Sequence, residues 1–388
     1  AAAADDAGVV IRPDLEKLDL DVRDFLQLDD LRATDSGRTV GPKAAKLGEL
    51  RRHYPGRVSR GVAIPFGLFK QQALQRQRPG HDGTVWDWMV ATYEALEAMP
   101  ADSPERNSAT EAFRAELYDT IVATPLGAPF RNGLQKALSV AFGNDELPGL
   151  FVRSDTNVED LAGFTGAGLN LTLPNVVSFE ELLASITRVW ASPFTARAFG
   201  WRQSHMTAPE HVYTSILLLE SVASDKSGVL VTQDIDTGDP GVISVAVNEG
   251  LGGAVDGQAA ESLRIRLDDG NVRVLATATA PRRRVPNPAG GLTRLPSSGD
   301  DHVLKQNEIA QLIDFAQHLP DRFPPSTDDQ GNPAPADVEF GFLGGELRLF
   351  QLRPFLDSRQ AGGSAYLRQM DSHLKDAHKV RVDLEGTP

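Results

Sequence analysis

Arg153 closes the apolar run GLFVRSD, and the turn beyond it, EDLAGFTGAGLN, carries Gly163, Thr165, Gly166 and Gly168. A guanidinium followed by a glycine-rich, hydroxyl-bearing turn suits phosphate binding. The glycines let backbone N–H groups approach an anion, and the arginine neutralises it. The alternatives are local: Arg153 pairing with Glu159 or Asp160, and Thr165 merely capping a turn. Lys43 follows Gly41 and Pro42 at the start of a helical repeat made by Ala44, Ala45, Leu47 and Leu50. The spacing predicts a turn opening a helix with a lysine in its first turn, set either to meet an anion or to lie solvated.

A second constellation lies in ADVEFGFLGGELRLFQLRPF, which reads as a β-hairpin. A two-residue loop at Gly344 and Gly345 would put Glu339 opposite Phe350 and mix polar with apolar side chains on each face. A three-residue loop, Gly344 to Glu346, pairs Val338 with Leu352 and Phe340 with Phe350 on one face. The other face then sets Glu339 opposite Gln351 and Asp337 opposite Arg353. The three-residue loop is therefore expected. Its polar face offers the carboxylate and amide oxygens of Asp337, Glu339 and Gln351, hard ligands suited to magnesium bridging nucleotide phosphates, with Arg353 beside them for phosphate. A solvated ion pair on a hairpin surface is the alternative.

Composition narrows the chemistry. The chain has 388 residues, room for two or three domains, and no cysteine, which excludes disulfides, thiolate metal sites and cysteine nucleophiles. A net charge of −14 argues against nucleic acid or an anionic membrane as a partner, so any anion must be bound locally. No apolar run reaches the ~18 residues of a spanning helix, and a cytoplasmic protein is expected. The opening AAAADDAG lacks a methionine and reads as part of a longer protein.

Those residues need elements to hold them. A polar lead over residues 1–37 carries one apolar patch, Phe25, Leu26, Leu28 and Leu31. Val62, Ala63 and Ile64 read as a short buried strand, and residues 84–143 as a helical insert of three segments. Strand signals follow at GLFVRSD, YTSILLLESV, SGVLVTQDI, GVISVAVNE, LRIRL and VRVLATAT, dense enough for a mostly antiparallel sheet. FEELLASITRVWASPFTARAFGWRQ is expected to be one helix, and RRRVPNPAGGLTRLPSSGDD a polar loop. A helix over KQNEIAQLIDFAQHL precedes the hairpin, and residues 356–388 read as a polar tail.

GPKAAKLGEL, FVRSDTNVEDLAGFTGAGLN, RVWASPFTARAF, SGVLVTQDIDTG, NEGLGGAVDGQ and the hairpin occur in an order that resembles the ATP-grasp nucleotide-binding domain of the phosphoenolpyruvate synthase and pyruvate phosphate dikinase family. Within it, VGPKAAKLGEL with VRSDTNVEDLAGFTGAGL looks closest to the C-terminal domain of the glucan water dikinases. The resemblance covers roughly residues 38–355. It implies an α+β, two-lobed ATP-grasp fold, with one lobe at 38–220 bearing the insert and the other at 221–355. It also implies a domain that binds ATP and Mg2+ and gives the β-phosphoryl group to a histidine on a separate or upstream phosphocarrier domain, leaving AMP and phosphate. Lys43, Arg153 and Arg353 fall on phosphate-contacting positions, Gly163 to Gly168 with Thr165 on the phosphate loop, and Glu339 and Gln351 on metal-bearing positions. The backbone near Glu220 and Val222, in ILLLESVAS, falls where adenine is held.

Three positions depart from the family pattern: Leu219 where glutamine is common, Ala246 where an acid is frequent, and Gly253 where GLGE is common. Leu219 and Gly253 favour the alternative of a nucleotide-binding sensor, a scaffold being a further alternative, and the lost acids would weaken metal binding unless Glu249, close in sequence, compensates. None of the eight histidines stands in the Thr-Gly-Gly-rich setting of the family's phosphocarrier, so the acceptor histidine is expected elsewhere.

Overall fold

The computed structural model describes residues 12–100, 103–143, 147–159, 171–254, 257–300, 302–325, 327 and 332–355. Its first part runs β1 (Leu26–Gln27), α1 (Pro42–His53), β2 (Gly61–Ile64), α2 (Phe66–Phe69), α3 (Val85–Glu97), α4 (Pro104–Val122), α5 (Ala128–Phe142), β3 (Leu150–Thr156), β4 (Thr172–Val176), α6 (Phe179–Ala191), α7 (Ala196–His205) and β5 (Thr214–Glu220). The second runs β6 (Lys226–Val231), β7 (Val242–Glu249), β8 (Glu261–Arg266), β9 (Val272–Ala276), β10 (Arg282–Pro286), β11 (Leu292–Pro296), α8 (Gln306–Arg322), β12 (Ala336–Leu343) and β13 (Glu346–Pro354).

The first five strands form one sheet in the order β1-β2-β5-β3-β4, and the second sheet has the order β13-β12-β6-β7-β8-β9. All pairings within both are antiparallel, as the short links require. The fold is thus α+β, with two antiparallel sheets and the expected helical insert as α3, α4 and α5. Alternation explains the unbroken apolar runs of β2 and β5. Val62, Ile64, Ile216 and Leu218 face a core shared with α3–α7, whereas Ala63, Leu217 and Leu219 face a core shared with the second sheet and α8. Leu28 and Leu31 of the lead are buried in this second core, as are Leu47 and Leu50 of α1.

Three sequence expectations need correction. The long helix after β4 is two, because Pro193 removes an amide donor and the chain passes through a 3-10 turn at Ser192–Phe194 before α7 starts. The stretch expected as a polar loop forms the β10–β11 hairpin. Its tip docks on the first sheet through Asn175 Nδ2, which donates to the carbonyls of Asn287 at 2.7 Å and Gly291 at 2.9 Å. Asn175 holds a left-handed φ of 51°, a conformation its short amide tolerates.

The third correction is the β12–β13 register. Leu343 pairs with Glu346, so the loop is the two residues Gly344 and Gly345, whose φ values of 60° and 81° are those of a type I′ turn. Farther along, Glu339 pairs with Gln351 and Asp337 with Arg353, as expected. A β-bulge reconciles the two registers: Phe340 pairs with Leu349, not Phe350, and Phe350 is the extra residue. The residue assigned to the loop lies instead in the strand. Among the described residues no helix is long and apolar enough to cross a membrane.

Candidate nucleotide site

β3 carries Leu150 and Val152 into the helix-side core, so Phe151, Arg153 and Asp155 point to the other face, toward the second sheet. Arg153 is 9% exposed and crosses between the sheets. Its guanidinium donates to Gln351 Oε1 at 2.6 Å, to the bulge carbonyl of Phe350 at 3.0 Å and to Glu339 Oε2 at 3.4 Å. The bulge turns that carbonyl out of the ladder, which gives the register shift a local use. On the same hairpin face, two cross-strand pairs along, Arg353 Nε donates to Asp337 Oδ2 at 2.7 Å. Arg153 of the first sheet is therefore brought onto Glu339 and Gln351 of the second, and the Asp337–Arg353 pair lies farther along the same hairpin face.

Lys43 lies at the second position of α1, and its ammonium donates to the Ser154 carbonyl at 3.0 Å and pairs with Glu159. Glu159 also accepts from the Thr156 amide at 2.9 Å. Lys43 is thus tied to β3, the strand that carries Arg153, and to Glu159 in the turn that follows it. Gly163, Thr165, Gly166 and Gly168 lie outside the described residues.

The link from β5 to β6 joins the two sheets. The Ser221 amide donates to the Gly149 carbonyl at 2.7 Å, and the Val222 carbonyl accepts from Ser224 at 2.8 Å. The Val222 amide has no hydrogen-bond partner among the described residues, and the buried hydroxyls of Ser221 and Ser224 have none either. Unsatisfied backbone and hydroxyl groups at a link between sheets are what a purine edge would satisfy. The Glu220 carboxylate turns away, accepting from the Arg60 guanidinium at 3.0 and 3.2 Å, and its amide donates to the Arg60 carbonyl at 3.0 Å, so what this residue can offer a ligand is its carbonyl.

Asp337, Glu339 and Gln351 supply hard oxygens of the kind magnesium takes. A cation already sits between Glu339 and Gln351, the Arg153 guanidinium, so the donor set suits positive charge. The described residues contain no cluster of three acidic or histidine side chains that would cage a metal alone. A bound magnesium would depend on phosphate oxygens for further ligands. Ala246 lies in the same cross-strand row as Val229 and Glu339, so that row carries a methyl group where an acid would reach the site.

Sequence reasoning missed Asp155. It is fully buried, and its two carboxylate oxygens accept the amides of Lys43 at 2.9 Å and Ala44 at 2.8 Å, the first turn of α1. Burial pushes its carboxyl up to about 7; the Lys43 ammonium and the two amides pull the other way, and Glu159 adds to the rise. A signal was present. Gly41 is the N-cap of α1 and has no side chain to cap with, so the exposed amides had to find an acceptor elsewhere in the chain.

The model of the pyruvate phosphate dikinase AMP/ATP-binding domain family matches residues 37–373. The chain belongs to this family. Its ATP-grasp architecture follows from that membership together with the two antiparallel sheets. A rifampicin phosphotransferase from Streptomyces sp is 27% identical over 81% of this chain and 34% of its own length. A probable phosphoenolpyruvate synthase from Methanothermobacter thermautotrophicus is 25% identical over 81% of this chain and 43% of its own length. The chain thus spans less than half of each of these relatives. A solved D-alanine–D-alanine ligase from Helicobacter pylori aligns with a TM-score of 0.24 and 10% identity over 68% of this chain and 59% of that one. The assignment rests on the domain family and not on that superposition.

Proposed function

We propose that this chain is the ATP-handling domain of a dikinase-type phosphotransferase. It binds ATP between its sheets and transfers the β-phosphoryl group to a histidine of a phosphocarrier domain, so that ATP and water yield AMP, inorganic phosphate and phosphohistidine. The observation that carries the reading is the convergence of Arg153 from the first sheet on Glu339 and Gln351 of the second, with the Asp337–Arg353 pair farther along the same hairpin face. Membership in an AMP/ATP-binding family and likeness to phosphotransferases support it.

In this reading Lys43, Arg153 and Arg353 neutralise and orient the phosphates, and the backbone at Glu220 to Val222 holds the adenine. Phosphoryl transfer needs positioning and charge compensation more than covalent help from the protein. Glu339 and Gln351, with Asp337 beside them, would hold magnesium, which when bound draws charge from the phosphate oxygens. Nucleotide arrival releases Arg153 from Gln351 and Glu339, freeing the oxygens for the metal and the guanidinium for phosphate. In this reading the acceptor histidine belongs to a separate or upstream phosphocarrier domain.

A sensor that binds but does not transfer is the second reading, favoured by Ala246 in the Glu339 row. Incubation with magnesium, ATP and a purified histidine phosphocarrier domain, followed by separation of the nucleotides, distinguishes them. Transfer predicts AMP in proportion to added carrier. Tight ATP binding without carrier-dependent AMP would establish the sensor.

A further inference from the structure

Asp155 does more than fill a helix end. Its carboxylate takes the amides of Lys43 and Ala44. Gly41 donates its amide to Ser215 Oγ at 2.9 Å, and that hydroxyl donates to the Asp155 carbonyl at 2.6 Å. A Cβ at Gly41 would overlap the Asp155 carboxylate, so this approach needs glycine. Lys43 is thereby fixed to β3 at both ends: its backbone by Asp155, its ammonium by the Ser154 carbonyl and Glu159. Arg153 projects from the same strand two residues before Asp155, on the same face.

We infer that Asp155 is a positioning residue: it holds the first turn of α1 against β3 and so sets Lys43 in register with Arg153 for one triphosphate. The inference rests on the nucleotide reading above. Its chemical content is that the N-terminus of α1 is not itself the anion site, because a protein carboxylate already takes the amides that a phosphate would use. The phosphates must then meet the lysine side chain, and its place depends on a helix end that Asp155 anchors.

A double-mutant cycle tests this, with calorimetric titration of magnesium-ATP into the full chain and a thermal melt of each variant. Lys43→Ala should weaken binding by about tenfold or more, as for a charge-assisted contact. Asp155→Ala should weaken it by at least about fivefold, and the double variant should bind no worse than Lys43→Ala alone, since Asp155 acts through the lysine. Asp155→Asn keeps one amide acceptor without the charge and should fall between wild type and Asp155→Ala; it also serves if the alanine variant fails to fold.

Loss of thermal stability in Asp155→Ala or Asp155→Asn with affinity unchanged within twofold, while Lys43→Ala still weakens binding, would overturn the positioning role and leave the nucleotide reading intact. Full additivity in the cycle would overturn it too. No effect of Lys43→Ala would overturn the positioning role together with the lysine's phosphate contact, whereas the absence of magnesium-ATP binding by the wild type would remove the nucleotide reading itself.

Discussion

Arg153→Ala is the perturbation that reads the site most fully. It deletes the contacts to Gln351, Phe350 and Glu339 and leaves the Glu339 carboxylate, with 23% of its side chain exposed, without this partner. Solvent reaches Glu339, so the electrostatic loss is well below that of a sealed ion pair, and a stability cost of about 1–3 kcal/mol is expected. The effect on nucleotide is separate. A charge-assisted phosphate contact is worth about 1.5–3 kcal/mol, which corresponds to roughly one to two powers of ten in affinity for magnesium-ATP. Part of that loss is offset, because the wild-type arginine must leave Gln351 and Glu339 before it meets phosphate. Arg153→Lys should recover affinity only in part, since an ammonium lacks the fork that grips two oxygens. The assay is isothermal titration with magnesium-ATP, with a thermal melt of each variant. A melt lowered by several degrees with affinity unchanged would refute the reasoning. It would mean that Arg153 is only a tie between the sheets.

Glu339→Gln should leave the melt nearly unchanged but reduce the gain in ATP affinity that magnesium brings; equal affinities with magnesium and with EDTA in the wild type would dismiss the metal assignment. Asp155 contributes a pH dependence of known sign. Its folded-state pKa lies above the unfolded value, so the native protein holds a proton that the unfolded chain releases between about pH 4 and 7. This contribution makes the protein less stable as pH rises through that window, by up to about 1.4 kcal/mol per unit, and Asp155→Asn should flatten the slope in urea titrations. Asn175→Ala removes both side-chain bonds to the β10–β11 tip, leaving the Gly291 amide on the residue-175 carbonyl, and should cost about 1–3 kcal/mol, with faster hydrogen exchange at Gly290 and Gly291; unchanged protection there would show that the tip is held by its other contacts.

The most legible parts of the fold were those with strong local periodicity. α3, α4, α5 and α8, the buried strand β2 and the strands β5 to β9 announce themselves through apolar spacing and turn residues. The hairpin showed the limit of that reasoning. Matching polar faces at Glu339 and Gln351 was correct, but it counts residues along the whole strand and cannot tell a longer loop from a bulge; the glycine pair favoured one and the face pattern the other, and the chain satisfied both at Phe350. The β10–β11 strands escaped notice because arginines dominate them and their pairing depends on each other and on Asn175, not on a buried face. At the site, the chemistry and register of the hairpin grouped Asp337, Glu339, Gln351 and Arg353, and Arg153 stood apart as a phosphate-binding candidate; only the family resemblance placed the two sets in one site. The capping of α1 by Asp155 was not legible, since an acceptor 112 residues away leaves no local pattern beyond the absent cap at Gly41.

The central claim is transfer of the β-phosphoryl group, and the position of a label tests it most directly. The chain, magnesium and a histidine phosphocarrier domain are mixed with ATP labelled at its β-phosphorus or, in parallel, at its γ-phosphorus, and the carrier is assayed for acid-labile, base-stable phosphate. The account predicts a carrier histidine labelled from β-labelled ATP, with equimolar AMP, and the γ label recovered as inorganic phosphate. A carrier labelled from the γ-phosphorus with ADP as product would contradict it.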